Sequence, residues 1–323
     1  MSIFFSACSS KEVYKPNTVK DDWNNYGDID GNIINVSSTA ALLENRKVLI
    51  GSKILDVSVA ESYKLLGFSD GWVISANMDG DIRLQFSADK SLKKNFKLKK
   101  TIASASIKDD VLAVLFINND MELYSISTGK LLLKEQGNAP IVVNSKIVSP
   151  HFMDDLVLFF TLDGKVVIIS LKEKKKLRTV IVSSEEYFNN IIYFNVVDGK
   201  IIAATGHKIL AMSEKELRVK YDIRDVIYDD GNIYITTKQG EIVSLTSDLK
   251  YNKKIKFPFA HFLGMVATKD KIYVLEKEGY IIELSKDLLE YNVYDVDVSE
   301  GYVFVADKVF YVNDEYISAE VEK

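Results

Sequence analysis

Residues 109–131 read DDVLAVLFINNDMELYSISTGKL and contain the clearest copy of the pattern from which we predict the fold. An aspartate pair leads into an apolar run over 111–117, a polar turn follows, and a second apolar run covers 121–127. Turn residues between two short, apolar runs rich in β-branched residues are typical of a β-hairpin. The first run does not alternate between polar and apolar residues, so both faces of its strand are expected to be buried.

The same hairpin pattern recurs along the chain after residue 30. Its copies begin at Arg46-Lys47, Asp70-Gly71, Asp109-Asp110, Asp154-Asp155, Asp198-Gly199, Asp230-Gly231, Lys271-Ile272 and Glu300-Gly301. The copies lie roughly 25–45 residues apart, and about four strand-length runs fill a unit, as in propeller blades. We therefore predict an all-β fold, an eight-bladed β-propeller of four-stranded antiparallel blades over residues 30–323. A seven-bladed ring remains an alternative, because the earliest hairpin lies close to the next.

Charged runs and aspartate pairs fit the same scheme. The third run of several units is rich in lysine and arginine, as over 93–97, 177–180 and 217–220. Such residues suit the outermost strand of a blade, where lysine discourages edge-to-edge pairing. The aspartate pairs recur at equivalent turns and lack the spaced carboxylates of a calcium loop. We therefore interpret them as turn residues and predict no metal site.

The composition of the chain excludes several classes of protein. Its 323 residues include 41 Lys+Arg and 46 Asp+Glu, for a formal net charge of −5, and a single cysteine. A mean hydropathy of 0.00 excludes an integral membrane bundle and a wholly disordered chain. The slight acidic excess predicts no nucleic-acid partner. One cysteine forms neither an internal disulfide nor a multi-cysteine zinc site.

The N-terminal sequence Phe5-Ser6-Ala7-Cys8 resembles the lipobox of bacterial lipoproteins. The resemblance implies a signal remnant over 1–8, lipid attached to Cys8, and a polar tether over 9–29. Ser9 and Ser10 resemble the pattern that sorts lipoproteins to the outer membrane. A secretory signal carries about 7–15 apolar residues after a basic region. Only seven residues precede Cys8 here, so either the true start lies upstream or the match is accidental.

The hairpin repeat itself resembles the PQQ-like repeat, best over residues 122–131, ELYSISTGKL. Residues 147–150, IVSP, are similar to the strand that follows this turn in that repeat. The chain is thus similar to BamB-type lipoproteins of the outer-membrane β-barrel assembly machinery, although Leu133 stands where the repeat usually has a tryptophan. This resemblance implies a non-enzymatic periplasmic scaffold of a Gram-negative bacterium. It also implies a barrel-assembly protein as partner and a lipid anchor as the sole membrane contact.

Two rival functions follow from the same repeat. Quinone-dependent dehydrogenases share it, but their sites use a vicinal cysteine pair, so the lone Cys8 predicts no cofactor. A propeller enzyme or sugar-binding protein with its site at the channel mouth would gather His151 or His261 with carboxylates, and both are expected on innermost strands. His207, beside a turn glycine, is expected to be exposed. A scaffold of another envelope machine is the second rival.

The densest aromatic stretch outside a hairpin covers 257–262 and reads FPFAHF. Exposed apolar side chains often mark a protein-binding surface. We predict Phe257, Phe259 and Phe262 as partner-binding residues, with packing inside the innermost strands as the alternative.

Overall fold

The computed structural model describes residues 12–320, which contain 33 β-strands and no helix. Blade 1 contains β3 (Ile33–Val36), β4 (Ala41–Leu43), β5 (Lys47–Ile50) and β6 (Lys53–Ser58), and blade 2 contains β7 (Lys64–Ser69), β8 (Trp72–Ala76), β9 (Asp81–Phe86) and β10 (Lys93–Lys97). Blade 3 contains β11 (Ile102–Lys108), β12 (Val111–Phe116), β13 (Met121–Ser125) and β14 (Leu131–Glu135). Blade 4 contains β15 (His151–Met153), β16 (Leu156–Phe160), β17 (Lys165–Ser170) and β18 (Lys175–Ile181).

The remaining strands complete blades 5–8 in the same way. They are β19 (Ile191–Val197), β20 (Lys200–Thr205), β21 (Lys208–Met212) and β22 (Glu216–Lys220); β23 (Ile223–Asp229), β24 (Asn232–Thr237), β25 (Glu241–Thr246) and β26 (Tyr251–Lys256); β27 (Phe262–Ala267), β28 (Lys271–Glu276), β29 (Tyr280–Ser285) and β30 (Tyr291–Asp295); β31 (Val303–Ala306), β32 (Val309–Val312) and β33 (Glu315–Ser318). Two strands come from the N-terminal side, β1 (Asp21–Asp22) and β2 (Tyr26–Asp28).

Each blade contains four antiparallel strands, the first innermost and the fourth towards the outside of the ring, and blade 7 has one added edge strand. The predicted eight-bladed, all-β propeller of four-stranded antiparallel blades is confirmed, and the seven-bladed alternative is wrong. The lysine-rich runs lie on the outermost strands β10, β18 and β22, as predicted. Asp109, Asp154 and Asp230 have positive φ angles of 52°, 49° and 44°, which turn residues adopt more readily than most.

Burial between blades explains why the apolar runs do not alternate. Eight clusters of buried side chains occupy the eight interfaces between neighbouring blades, including the interface between blades 8 and 1. Five of the six residues of β12 are buried, because its two faces pack against blades 2 and 4. Full burial of one such large apolar side chain contributes about 1.5–3 kcal/mol.

An N-terminal segment over residues 12–28, here the N-terminal strap, closes the ring. Strand β2 pairs with β33 as the outermost strand of blade 8, and β1 adds in parallel to the edge of blade 7. Tyr14 packs edge-on against Phe257, and the Trp23 side chain is buried between blades 7 and 8. The predicted start of the propeller at residue 30 is therefore corrected. The described part of the predicted tether lies against the blades, because Tyr14 and Trp23 find buried sites there.

Two glycines of blade 6 give a matched test of turn packing. Gly240→Ala is expected to lower the free energy of unfolding by about 2–4 kcal/mol, and Gly231→Ala by about 1 kcal/mol. Both residues have positive φ, 74° and 79°, but an added Cβ at Gly240 would lie 2.2 Å from the Phe257 carbonyl oxygen. A Cβ at Gly231 meets nothing within 4 Å. Urea denaturation measures both changes, and equal losses would contradict the packing argument.

Candidate protein-docking face

The strand order gives the propeller two faces with different loops. Connections between blades and the turns between second and third strands lie on one face, here the crossover face. The other two hairpin turns of each blade lie on the opposite face, here the hairpin face. In the described loops of the eight blades, the exposed large apolar side chains of the crossover face are Met78, Ile117, Ile141, Val142, Tyr187, Phe188, Phe259 and Tyr302. Those of the hairpin face are Leu92 and Leu289. This asymmetry marks the crossover face as the candidate interaction surface.

Two crossover loops, 136–150 before blade 4 and 182–190 before blade 5, pack together as a loop pair. Val142 and Tyr187 form a parallel β-bridge, and the Phe188 backbone N–H donates to the Val142 carbonyl at 3.0 Å. The His207 ring nitrogen Nε2 lies 3.0 Å from the Tyr187 carbonyl oxygen. His207, which was predicted to be exposed, is thus half-buried beside this loop. The loop pair holds four of the eight exposed apolar side chains in a fixed arrangement.

A buried amide supports the loop pair from below. Asn190 is 0% exposed, and its Oδ1 accepts the backbone N–H of Asn144 at 2.6 Å. Its Nδ2 donates to the Lys146 carbonyl at 2.7 Å. Phe188 has a positive φ of 51°, an unusual conformation for a bulky side chain. Such strain is kept where the surrounding contacts fix it, often at binding sites.

The loop before blade 4 also crosses the central channel. Lys146 Nζ lies 2.5 Å from Asp225 Oδ1 of β23, two blades further round the ring. Ser38 Oγ, from blade 1, lies 3.1 Å from Ser149 Oγ. Contacts to blades 6 and 1 from one loop obstruct the channel and fix the loop at both sides.

A cavity of about 400 Å³ remains between the innermost strands beneath this loop. His151 lies on the innermost strand β15, as predicted, and its ring centroid is 5.0 Å from that of Phe194. Burial, and then the charge of Lys108, lowers the pKa of His151 and so favours its neutral imidazole. Burial raises the pKa of Tyr193, which also lines the cavity, to about 12.

His261 lies one residue before β27 rather than within it, and connects blades 6 and 7. Its Nε2 is 2.6 Å from Nη1 of Arg224. Its backbone N–H donates at 2.7 Å to the carboxylate of Glu276, which is 0% exposed. Burial raises the pKa of the Glu276 carboxyl, while backbone N–H donors lower it. The carboxylate thus fixes the backbone at His261, and the imidazole faces a guanidinium.

The three phenylalanines predicted to bind a partner separate into two groups. Phe257 and Phe262 are both 3% exposed and belong to the cluster between blades 6 and 7, which also holds Tyr14. That part of the prediction is corrected, because these rings fill the blade interface. Phe259 is exposed on the crossover face, with a positive φ of 66°.

The structure does not describe every residue for which the sequence makes a prediction. Cys8, the predicted lipid attachment site, lies outside residues 12–320. Within that range, no helix has the length and apolar character needed to span a membrane. The same residues contain no group of three or more His, Cys, Asp or Glu side chains placed to bind a metal ion.

Sequence reasoning missed the loop pair and its support. The available signal was length, because 15 residues separate β14 from β15 whereas two separate β22 from β23. Long loops within compact domains are often functional. No signal in the sequence distinguished Asn190 from other asparagines, since its role depends on a loop about 45 residues away.

The fold places this chain in the class of eight-bladed β-propellers. No known family model matches it. It is similar in structure to BamB from Moraxella catarrhalis, with a TM-score of 0.70 and 13% identity over 91% of this chain and 99% of that one. It is also similar to Sqt1 of Saccharomyces cerevisiae, with a TM-score of 0.63 and 10% identity over 93% of this chain and 100% of that one. At these identities the likeness is one of fold.

Two curated relatives are similar in sequence. Both are described as plasminogen-binding protein PgbB, from Helicobacter pylori strains J99 and 26695. They are 37% and 36% identical to this chain over 205 residues. Each match covers 62% of this chain and 38% of the relative, so the chain spans less than half the length of the curated relatives it matches.

Proposed function

We propose that this chain is a non-enzymatic scaffold that binds protein partners on its crossover face. The observation that carries the proposal is the concentration of exposed apolar side chains on that face. Large exposed apolar patches are uncommon in soluble proteins unless another molecule covers them. The Val142–Tyr187 bridge and the buried Asn190 hold the loop pair in place before a partner arrives. Such preorganisation lowers the entropy cost of association.

The more specific proposal is a role in assembling outer-membrane β-barrel proteins. The chain would act in the periplasm of a Gram-negative bacterium, with lipid on Cys8 as its contact with the outer membrane. The likeness to BamB over 99% of that chain supports this role, as does the Thr128-Gly129-Lys130 turn of the repeat. The partner would be a barrel-assembly protein. A scaffold of another envelope machine is the rival role.

Site-specific crosslinking in intact envelopes tests the proposed face and partner. A photo-crosslinking residue at position 187, on the crossover face, is expected to capture a barrel-assembly protein identified by mass spectrometry. The same residue at position 289 provides the matched control, because Leu289 is comparably exposed on the hairpin face. Capture of the same partner from both positions would contradict the proposed face. Capture of a different envelope protein from position 187 alone would favour the rival role.

A second candidate function is the binding of plasminogen. The 37% identity to a plasminogen-binding protein over 205 residues favours it. Binding of purified plasminogen to the immobilised chain tests this function, with the double variant Tyr187→Ser/Phe188→Ser compared with Leu289→Ser. Loss confined to the double variant would place plasminogen on the crossover face. No binding to the unaltered chain would exclude this candidate.

A further inference from the structure

Six innermost strands carry a β-bulge within their first three residues, which leaves one extra residue out of the pairing. The register shifts occur in β3, β7, β11, β19, β23 and β27. The extra residues are, in the same order, Ile34, Leu66, Ala103, Ile192, Arg224 and Leu263. Five are apolar, and Arg224 is the sixth. Blade 6 therefore differs from the other five bulged blades in having a charged residue at this position.

The bulge position is part of a blade interface in most of these blades, although Ile34 of blade 1 is 37% exposed. Leu66 and Ile192 are buried in the clusters that join their blades to the next ones, and Leu263 packs against the corresponding cluster of blades 7 and 8. The Arg224 side chain likewise extends from its own blade towards the next one, since its guanidinium contacts His261 at the start of blade 7. A charged group thus occupies a position that other blades fill with apolar side chains.

The guanidinium of Arg224 is incompletely satisfied by the described residues. The residue is half-buried, and its Nε atom is buried without a hydrogen-bond partner. Its Nη1 and Nη2 lie 2.6 and 3.4 Å from the two ring nitrogens of His261. No described carboxylate forms an ion pair with it, and the neighbouring Asp225 pairs with Lys146. Burial lowers the pKa of Arg224.

A partly buried guanidinium with an unpaired Nε lowers the stability of the fold unless an anion binds to it. A partly desolvated cation loses hydration, and an apolar side chain of similar size is often as stable or more stable at such a position. Arginine is well suited to bind a carboxylate through two parallel hydrogen bonds. The pair also lies at the crossover-face end of the innermost strands, two residues after the exposed Phe259. An acidic side chain flanked by apolar ones would match these neighbours.

We infer that Arg224, together with His261, is a binding site for a carboxylate side chain of the protein that docks on the crossover face. The inference rests on the proposed function and adds the chemistry of the partner, an acidic residue within an apolar segment. Arg224 supplies the charge and the paired donors. The contact to His261 orients the guanidinium.

A pair of end-blocked, fluorescein-labelled hexapeptides tests the site on the full chain. One alternates Leu and Glu, and the other alternates Leu and Gln. The Glu peptide is expected to bind about tenfold more tightly than the Gln peptide, as measured by fluorescence anisotropy. Arg224→Leu, which installs the residue type of the other blades, is expected to abolish this preference. The thermal midpoint of unfolding of the Arg224→Leu variant should equal or exceed that of the unaltered chain.

Arg218→Leu is the matched control, because it removes one positive charge from the outermost strand β22 and should keep the preference for the Glu peptide. Equal binding of both peptides to the unaltered chain would overturn the inference, as would an Arg224→Leu variant that keeps the preference. A fall in its thermal midpoint would assign Arg224 a structural role instead. Binding of succinate that depends on Arg224, without discrimination between the peptides, would assign the site to small free anions and also overturn it. A different experiment would contradict the proposed function, namely crosslinking that captures the same partner from positions 187 and 289.

Discussion

Trp23→Ala is expected to lower the free energy of unfolding by about 3–5 kcal/mol and to open the ring between blades 7 and 8. The indole is 5% exposed, and its centroid lies 5.7 and 5.1 Å from the rings of Tyr273 and Tyr294. Its Nε1–H donates to the Ser318 carbonyl of β33 at 3.1 Å. Truncation therefore removes both a large buried surface and a contact that holds the N-terminal strap to the last blade. Urea denaturation measures the loss.

Native-state hydrogen exchange distinguishes ring opening from a general loss of core packing. Amides of β31, β32 and β33 are expected to lose protection first, while those of β12 keep it, because local opening follows the weakened interface. Tyr26→Ala is the control, since Tyr26 lies on the same strap but is exposed. A uniform loss of protection across all blades, or a loss of stability below about 1 kcal/mol, would contradict the role assigned to Trp23.

Asn190→Ala is expected to lower the free energy of unfolding by about 2–3 kcal/mol and to release the loop pair. The substitution leaves the Asn144 N–H and the Lys146 carbonyl without the amide that pairs with them. Once the loops separate, Tyr187 and Phe188 no longer share one fixed surface. Crosslinking from position 187 should therefore fall in this variant, although no exposed residue has been changed.

The control for this prediction is Asn252→Ala. Asn252 is exposed on β26, and its side chain donates to the Asn232 side chain at 2.9 Å. Its loss should change stability by about 0.5 kcal/mol or less and leave crosslinking unchanged. An Asn190→Ala variant that is destabilised but still crosslinks fully would show that docking does not depend on a preformed loop pair.

The fold was predictable from the sequence because local signals repeat in every blade. Asp70, Asp109 and Asp154 each mark a turn with positive φ, and an apolar run follows each of them. A wrong boundary in one copy is corrected by the others, so the blade architecture could be inferred without any long-range contact. The lysine-rich outermost strands were predictable for the same reason.

The site was less predictable because it depends on departures from the repeat and on distant contacts. Tyr14 and Trp23 lie in a largely polar segment, and the rings they pack against lie more than 200 residues away. Phe257 and Phe259 are two residues apart, yet one is buried and the other exposed. Composition cannot separate them, since the difference is set by the turn between blades 6 and 7. Arg224 is recognisable as the charged exception only when the six innermost strands are compared at their bulge positions.

Closure by β2 has a consequence for how the chain reaches its native state. Tyr26–Asp28 is synthesised well before its partner strand Glu315–Ser318, which lies about 290 residues further along the chain. Pairing across such a sequence separation is slow, and incomplete rings leave apolar blade surfaces open to aggregation. Until β33 has been made, β2 must remain unpaired. A holding chaperone that shields the two open ends of the growing arc would therefore raise the yield of folded protein.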